Sequence, residues 1–182
     1  MRRKDETTRG KLVDCAREII FKNGADALNI RDVASMAGVA SGTVYNYFSD
    51  KDELIFAVTE EFWREVISGM PDAVTADSFP ECIVQMFKYL KEEVSGSAGL
   101  LMKSLGGLEN AGRRRMATVQ LSMGGLVTEL INRDAEIPAS VFNENFTKEK
   151  FADFVIMNIV AALGSATPDI EILTEAVRRI IY

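Results

Sequence analysis

The chain has 182 residues, 47% of them apolar, with 21 Lys/Arg against 27 Asp/Glu, two cysteines and no histidine. That length gives one domain, or one small module fused to a larger one, with enough apolar content to bury a core without disulfide or metal staples. A net charge of −6 argues against a protein coated with nucleic-acid contacts, and the lack of histidine removes the commonest general base and ligand for transition metals.

The charge is unevenly placed. Residues 1–51 carry nine Lys/Arg against seven Asp/Glu, a net of +2, while the remainder carries twelve against twenty, a net of −8. A mildly basic head on an acidic body suits a protein that meets an anion at one end only. The opening "MRRKDETTRG" lacks the apolar stretch of a signal peptide, and no apolar run approaches the length of a membrane span, so a soluble cytoplasmic protein is expected. Cys15 and Cys82 each sit in an apolar helical pattern and read as buried free thiols of a reducing compartment rather than as a redox pair.

Apolar spacing of i, i+3, i+4 runs nearly throughout. Leu12, Cys15, Ala16, Ile19 and Ile20 predict a first helix over 12–23, closed by Gly24. Ile30, Val33, Ala34 and Ala37 predict a second, with Asn29 as its N-cap, Asp32 in its first turn and Gly38 at its end. Ser41 caps a short third helix through Tyr47; Ser49, paired with Asp52, caps a fourth that runs to about Gly69 before Pro71. Beyond Pro71 the predicted helices are roughly 79–95, 98–110, 113–133, 147–164 and 169–181, with the longest loop at "RDAEIPASVFNENFT". Period-two β-branched runs are absent, and the class is all-α, with about nine helices.

Helices 30–37 and 41–47, joined at Gly38-Val39-Ala40, have helix-turn-helix proportions. Val39, Val44 and Phe48 are the positions that lock the second onto the first, with Leu54 and Ile55 closing the small core. Thr43, Tyr45, Asn46 and Tyr47 are then left with no core to enter. Hydroxyls, an amide and aromatic rings facing outward suit the major groove, where base edges offer donors, acceptors and thymine methyls. Gly42 removes a side chain where backbone must approach phosphate, and Lys51, wrongly signed for the dipole of the helix it opens, calls for a phosphate partner.

The run "IRDVASMAGVASGTVYNYFSDKDEL" resembles the DNA-binding signature of the TetR (tetracycline-repressor-like) family of bacterial transcriptional regulators. Val33, Ala34, Ala37, Gly38, Val39, Gly42, Val44, Tyr45, Tyr47, Phe48, Lys51 and Leu54 carry the match, which covers about residues 8–56. Val44 stands where leucine is common, and Tyr47 where either His or Tyr occurs. The resemblance implies a three-helix DNA-binding domain over 1–50 and a helical effector-binding and dimerisation domain over 51–182. It further implies that Ser41, Thr43, Tyr47 and Lys51 contact phosphates, and that Thr43, Tyr45 and Asn46 face base edges. Arg2, Arg3 and Lys4 either sweep the neighbouring backbone or minor groove, or form a solvated terminus.

The same resemblance implies a homodimer through the last two helices, about 147–181, on a palindromic double-stranded operator. Candidate stripes are Phe151, Phe154, Val155, Asn158, Ile159 and Ala162, then Ile172, Leu173, Ala176, Val177 and Ile180, although such stripes serve an internal core equally well. It implies a small-molecule effector that releases the protein from DNA. Phe62, Trp63 and Val66 on the fourth helix, Met86, Phe87 and Leu90 on the next, and Met102, Met123 and Met157 further on are candidate pocket residues, since Met and aromatic side chains line adaptable apolar cavities. Each is also an ordinary core residue by spacing. With no inward cluster of charges evident, an apolar or amphipathic effector is expected, and no cofactor or metal. Arg113-Arg114-Arg115 is either a solvated cluster or a counter-charge for an acidic ligand. No phosphate loop, nucleophile elbow or metal-ligand spacing supports an enzyme. The alternative to a DNA-binding regulator is a dimeric small-molecule-binding or interaction protein without DNA binding.

Overall fold

The computed structural model describes residues 5–95 and 109–182, and within 109–120 the side chain of Val119 alone. Eight α-helices and two single 3-10 turns, Ala25–Ala27 and Ala139–Val141, make up its regular structure, with no strand among the described residues. The expected all-α class is the observed one. Most of the predicted helix 98–110 lies outside the described residues.

Helix α1 (Glu6–Asn23) begins well before its apolar pattern, because the Asp5 carboxylate accepts the Thr7 amide at 3.0 Å and caps it. It buries Leu12, Val13, Ala16, Ile19 and Ile20, whereas Cys15, expected inside, is only half-buried. Gly24 ends the helix at φ +83°, its N–H donating to the Ile20 carbonyl at 2.8 Å. In α2 (Ile30–Ala37) the Asn29 side chain accepts the Asp32 amide at 3.0 Å as expected, and Gly38 terminates the helix in the left-handed region at φ +69°.

Two caps differ from expectation. Helix α3 (Ser41–Tyr47) takes Ala40 as its N-cap, with no side-chain cap; Ser41 is its first helical residue. Helix α4 (Lys51–Ala73) is capped one residue later than the Ser49 reading. Asp50 Oδ1 accepts the Glu53 amide at 2.7 Å, and Glu53 Oε2 reaches back to the Ser49 amide at 2.6 Å. The acid at Asp50 outcompetes the Ser49 hydroxyl for the orphan amide of the first turn. Pro71 does not stop α4. Its fixed φ suits the helix, it forfeits one N–H, and the Val74 amide still bonds to the Met70 carbonyl at 2.9 Å.

The chain divides into two compact units, residues Met1–Arg64 with Val94–Met116, and Glu65–Glu93 with Ala117–Tyr182. In the first, Leu12, Ala16, Ile20, Val33, Ala37, Val44 and Phe48 are buried, and every residue from Leu54 to Thr59 is buried too, so α4 is enclosed on all sides there. Arg9 lies over the Phe48 ring at 5.6 Å.

The second unit holds the later part of α4, α5 (Phe79–Val94) up to Glu93, α6 (Glu109–Arg133) from Ala117 on, α7 (Lys148–Leu163) and α8 (Glu171–Ile181). α6 runs without the expected break near residue 112, since one glycine costs a helix about 1 kcal/mol and does not by itself end it. The loop after α6 is organised by two features that no periodicity announces. Asp134, a buried carboxylate, accepts the Phe79 amide at 2.7 Å, the Glu136 amide at 2.9 Å and the Tyr182 hydroxyl, and so joins the start of α5, the loop and the end of α8. Phe151 is a fully buried hub for Phe79, Phe142, Phe146 and Phe154, at ring separations of 5.2–6.2 Å.

The stripes of the last two helices are rotated from those expected. α7 buries Phe151, Ala152, Val155, Ile156 and Ile159, leaving Phe154, Asn158, Met157 and Val160 exposed. α8 buries Leu173, Val177 and Ile181, with Ile172 and Ile180 exposed and Ala176 half-buried. Helix α7 is apolar nearly all round, so spacing alone leaves its rotational phase open.

Candidate nucleic-acid interface

Helix α3 is two turns long and buries Val44 alone. Phe48, immediately past its end, is also buried, and Val39 before it is half-buried; together they seat the helix on its inner side. On the outer side Gly42, Tyr45 and Asn46 are exposed, and Ser41, Thr43 and Tyr47 half-buried. Tyr45 is 56% exposed, an uneconomical place for a large aromatic unless something covers it. A Cβ on Gly42 would meet nothing within 4 Å, so no contact among the described residues explains that glycine.

Two of the candidates also work within the fold. The Tyr47 hydroxyl accepts the Asp5 amide at 3.1 Å, tying the end of α3 to the cap of α1. Lys51 Nζ donates to the Asp26 carbonyl at 3.0 Å, tying the start of α4 to the 3-10 turn after α1. That bond accounts for a cation at the unfavourable end of a helix without any ligand, an explanation that sequence reasoning missed because Asp26 supplies it through its backbone. The arm Arg2, Arg3 and Lys4 lies outside the described residues.

Of the pocket candidates, Phe62 and Trp63 belong to the first unit, buried and edge-on to each other at 5.5 Å. Val66, Met86, Phe87, Leu90 and Met123 are buried in the second. Met157 departs from the expectation: it is 64% exposed, on the side of α7 opposite its buried stripe. Met102 falls outside the described residues, as do the side chains of Arg113-Arg114-Arg115. Burial pushes both thiols up, at Cys82 against the opposing pull of the Arg133 guanidinium 3.4 Å away, so neither is an activated nucleophile. No described helix is long and apolar enough to cross a membrane.

A small core of three helices, with a glycine-ended second helix and a short third whose polar and aromatic side chains all face out, defines a helix-turn-helix protein. Residues 12–58 match the family model of the bacterial regulatory proteins of the tetR family. Over 67 residues it is 44% identical to the HTH-type transcriptional regulator YvdT of Bacillus subtilis, and over 64 residues 31% identical to the fatty acid metabolism regulator protein of the same organism. These matches cover 37% and 35% of this chain and 34% and 33% of those proteins, so the chain's likeness spans about a third of the curated relatives' length. Solved structures share the fold. The crystal structure of RolR without ligand superposes with a TM-score of 0.70 at 18% identity, over 95% of this chain and 90% of that one.

Proposed function

We propose that this protein is a homodimeric, sequence-specific transcription regulator that binds a palindromic operator through α3 and is released from it by a small apolar or amphipathic molecule. The observation that carries the reading is the outer side of α3. Thr43, Tyr45 and Asn46 stand where base edges would lie, with Asn46 able to pair bidentately with adenine. Ser41, Thr43 and Tyr47 supply hydroxyls for phosphate, and Gly42 leaves room for the DNA backbone. Lys51 adds a cation whose remaining ammonium protons can face a phosphate while one holds Asp26.

We take residues 1–50 as the reading head and 51–182 as the effector-binding and dimerisation part, in a cytoplasmic protein. One α3 reads too few base pairs for useful specificity, so two heads on a two-fold axis are needed. Exposed Phe154, Met157 and Val160 on α7 and Ile172 and Ile180 on α8 supply unpartnered apolar surface for a second copy. The crystal structure of the multidrug binding protein EbrR complexed with imidazole, which shares this fold, supports a ligand-responsive protein; a releasing ligand would act by favouring the conformation that binds DNA poorly.

The test is selection of bound sequences from a random duplex pool at near-physiological salt, followed by titration of the winner. A two-fold symmetric motif is expected. Tyr45→Ala with Asn46→Ala should weaken the selected site by at least about thirtyfold, two contacts at about 1–3 kcal/mol each, and leave non-specific binding nearly unchanged. Recovery of no motif, or equal loss on all sequences, would sink the reading.

A further inference from the structure

We propose that the carboxylate of Asp50 limits how tightly this protein holds DNA, by fixing a negative charge beside the phosphates that Tyr47 and Lys51 contact. The inference rests on the DNA-binding reading of α3 and concerns the strength of that binding. Asp50 is exposed, one residue before Lys51 and three after Tyr47. Successive Cα atoms lie about 3.8 Å apart, so its backbone is at most about 11 Å from that of Tyr47 and about 4 Å from that of Lys51. Exposed charges within a Debye length, about 8–10 Å at ordinary salt, still act on one another.

Two hydrogen bonds keep this carboxylate from turning away. Oδ1 accepts the Glu53 amide at 2.7 Å, and Oδ2 accepts the Ser49 hydroxyl at 3.1 Å. Glu53 Oε2 accepts the Ser49 amide at 2.6 Å in the same turn. Three donors that a phosphate could otherwise take are thus engaged by the chain's own carboxylates. The cation of this turn is drawn aside as well, since Lys51 Nζ donates to the Asp26 carbonyl at 3.0 Å. From Asp50 to Glu53 the chain carries three acids against one lysine, although residues 1–51 as a whole are net basic. A charge that repels phosphate acts on every DNA sequence alike. It therefore lowers the occupancy of non-specific DNA without reducing discrimination between sequences.

Asp50→Asn isolates the charge. Asparagine caps a helix as well as aspartate does, its oxygen can keep the Glu53 amide, and its amide can donate to the Ser49 hydroxyl. The full chain is titrated by fluorescence anisotropy with the selected operator and with a scrambled duplex, from about 50 mM to about 300 mM salt. At the low end the variant should bind both duplexes about tenfold more tightly, about threefold for each of two heads, and the gain should shrink as salt rises. Asp50→Ser, a second neutral cap, should behave alike and keeps the test open if the first variant unfolds. Glu144→Gln, an equal change of charge at an exposed position of the second unit, should alter either affinity less than about twofold. A gain at Asp50 no larger than that of Glu144→Gln, one insensitive to salt, or one confined to the operator would overturn the role of Asp50 and leave the regulator standing. Binding of neither wild type nor variants to any duplex would sink both.

Discussion

Gly42 occupies the second position of α3, exposed, with open space where a Cβ would stand. Inside the protein an alanine there is harmless and, by restricting the unfolded chain, worth up to about 0.5–1 kcal/mol of stability. In the proposed complex the same methyl would meet the DNA backbone that Gly42 is taken to admit. Gly42→Ala is therefore expected to hold or raise the thermal midpoint while weakening operator binding about tenfold, read by fluorescence anisotropy. Parallel changes in both would mean the glycine serves the fold.

Asp134 is the residue on which the second unit turns. Burial raises its pKa, but the Tyr182 hydroxyl and the amides of Phe79 and Glu136 outweigh burial and hold it below the usual aspartate value. A folded pKa below the unfolded one contributes stability above about pH 4, lost as pH falls through the folded value. Tyr182 has the opposite sign: burial first, then Asp134, raise it, so its contribution is complete below about pH 10 and fades above. Asp134→Asn should cost about 1–3 kcal/mol at neutral pH and flatten the acid limb of stability, measured by denaturant midpoints across the acid range. An acid limb parallel to that of the wild type would place the pH sensitivity elsewhere.

Among the elements, α4 is the one whose local composition and length disagree, with Gly69 and Pro71 inside its last two turns. Gly69 has a packing reason. The Tyr89 hydroxyl of α5 donates to the Val66 carbonyl at 3.0 Å and lies 2.6 Å from where a Cβ on Gly69 would be. Alanine in a helix interior ordinarily stabilises, but here it must displace that hydroxyl. Gly69→Ala is expected to destabilise, while in a Tyr89→Phe background it should be neutral or favourable. A coupling of about 1 kcal/mol or more in a double-mutant cycle of chemical unfolding is the expected outcome; additivity would show that Tyr89 moves aside freely.

Over the whole molecule, the exposed apolar side chains of α7 and α8 decide what surrounds the chain in solution. Ile172, at 86% exposure, sits one residue before the buried Leu173, so its change to a charge leaves the core of α8 untouched. In the dimer proposed above, Ile172→Glu should shift sedimentation toward monomer at micromolar concentration and lower operator affinity steeply, with little change in helix content. An unchanged dimer would move the interface off this face of α8.

Much of this was legible from residues alone. Helix α3 could be found because its constraint is local: Gly38 must take a left-handed φ, Val44 must point inward, and the polar side chains between have nowhere else to go. Asn29 and Gly24 were likewise visible as helix ends, since a cap depends on residues within one turn. The phase of α7 was not visible, because a helix apolar on nearly every side can bury any of them, and its neighbours choose. The capping of α4 by Asp50, the hold of Lys51 on the Asp26 carbonyl and the gathering of three donors on Asp134 all depend on groups brought together by packing or on backbone atoms with no residue type. The sequence by itself determined the class, the helix ends and the outward-facing chemistry of α3, which are short-range consequences of sterics and hydrogen bonding. Only the tertiary structure decided which apolar faces are interior and which polar groups are satisfied, because burial is a property of neighbours distant in the chain.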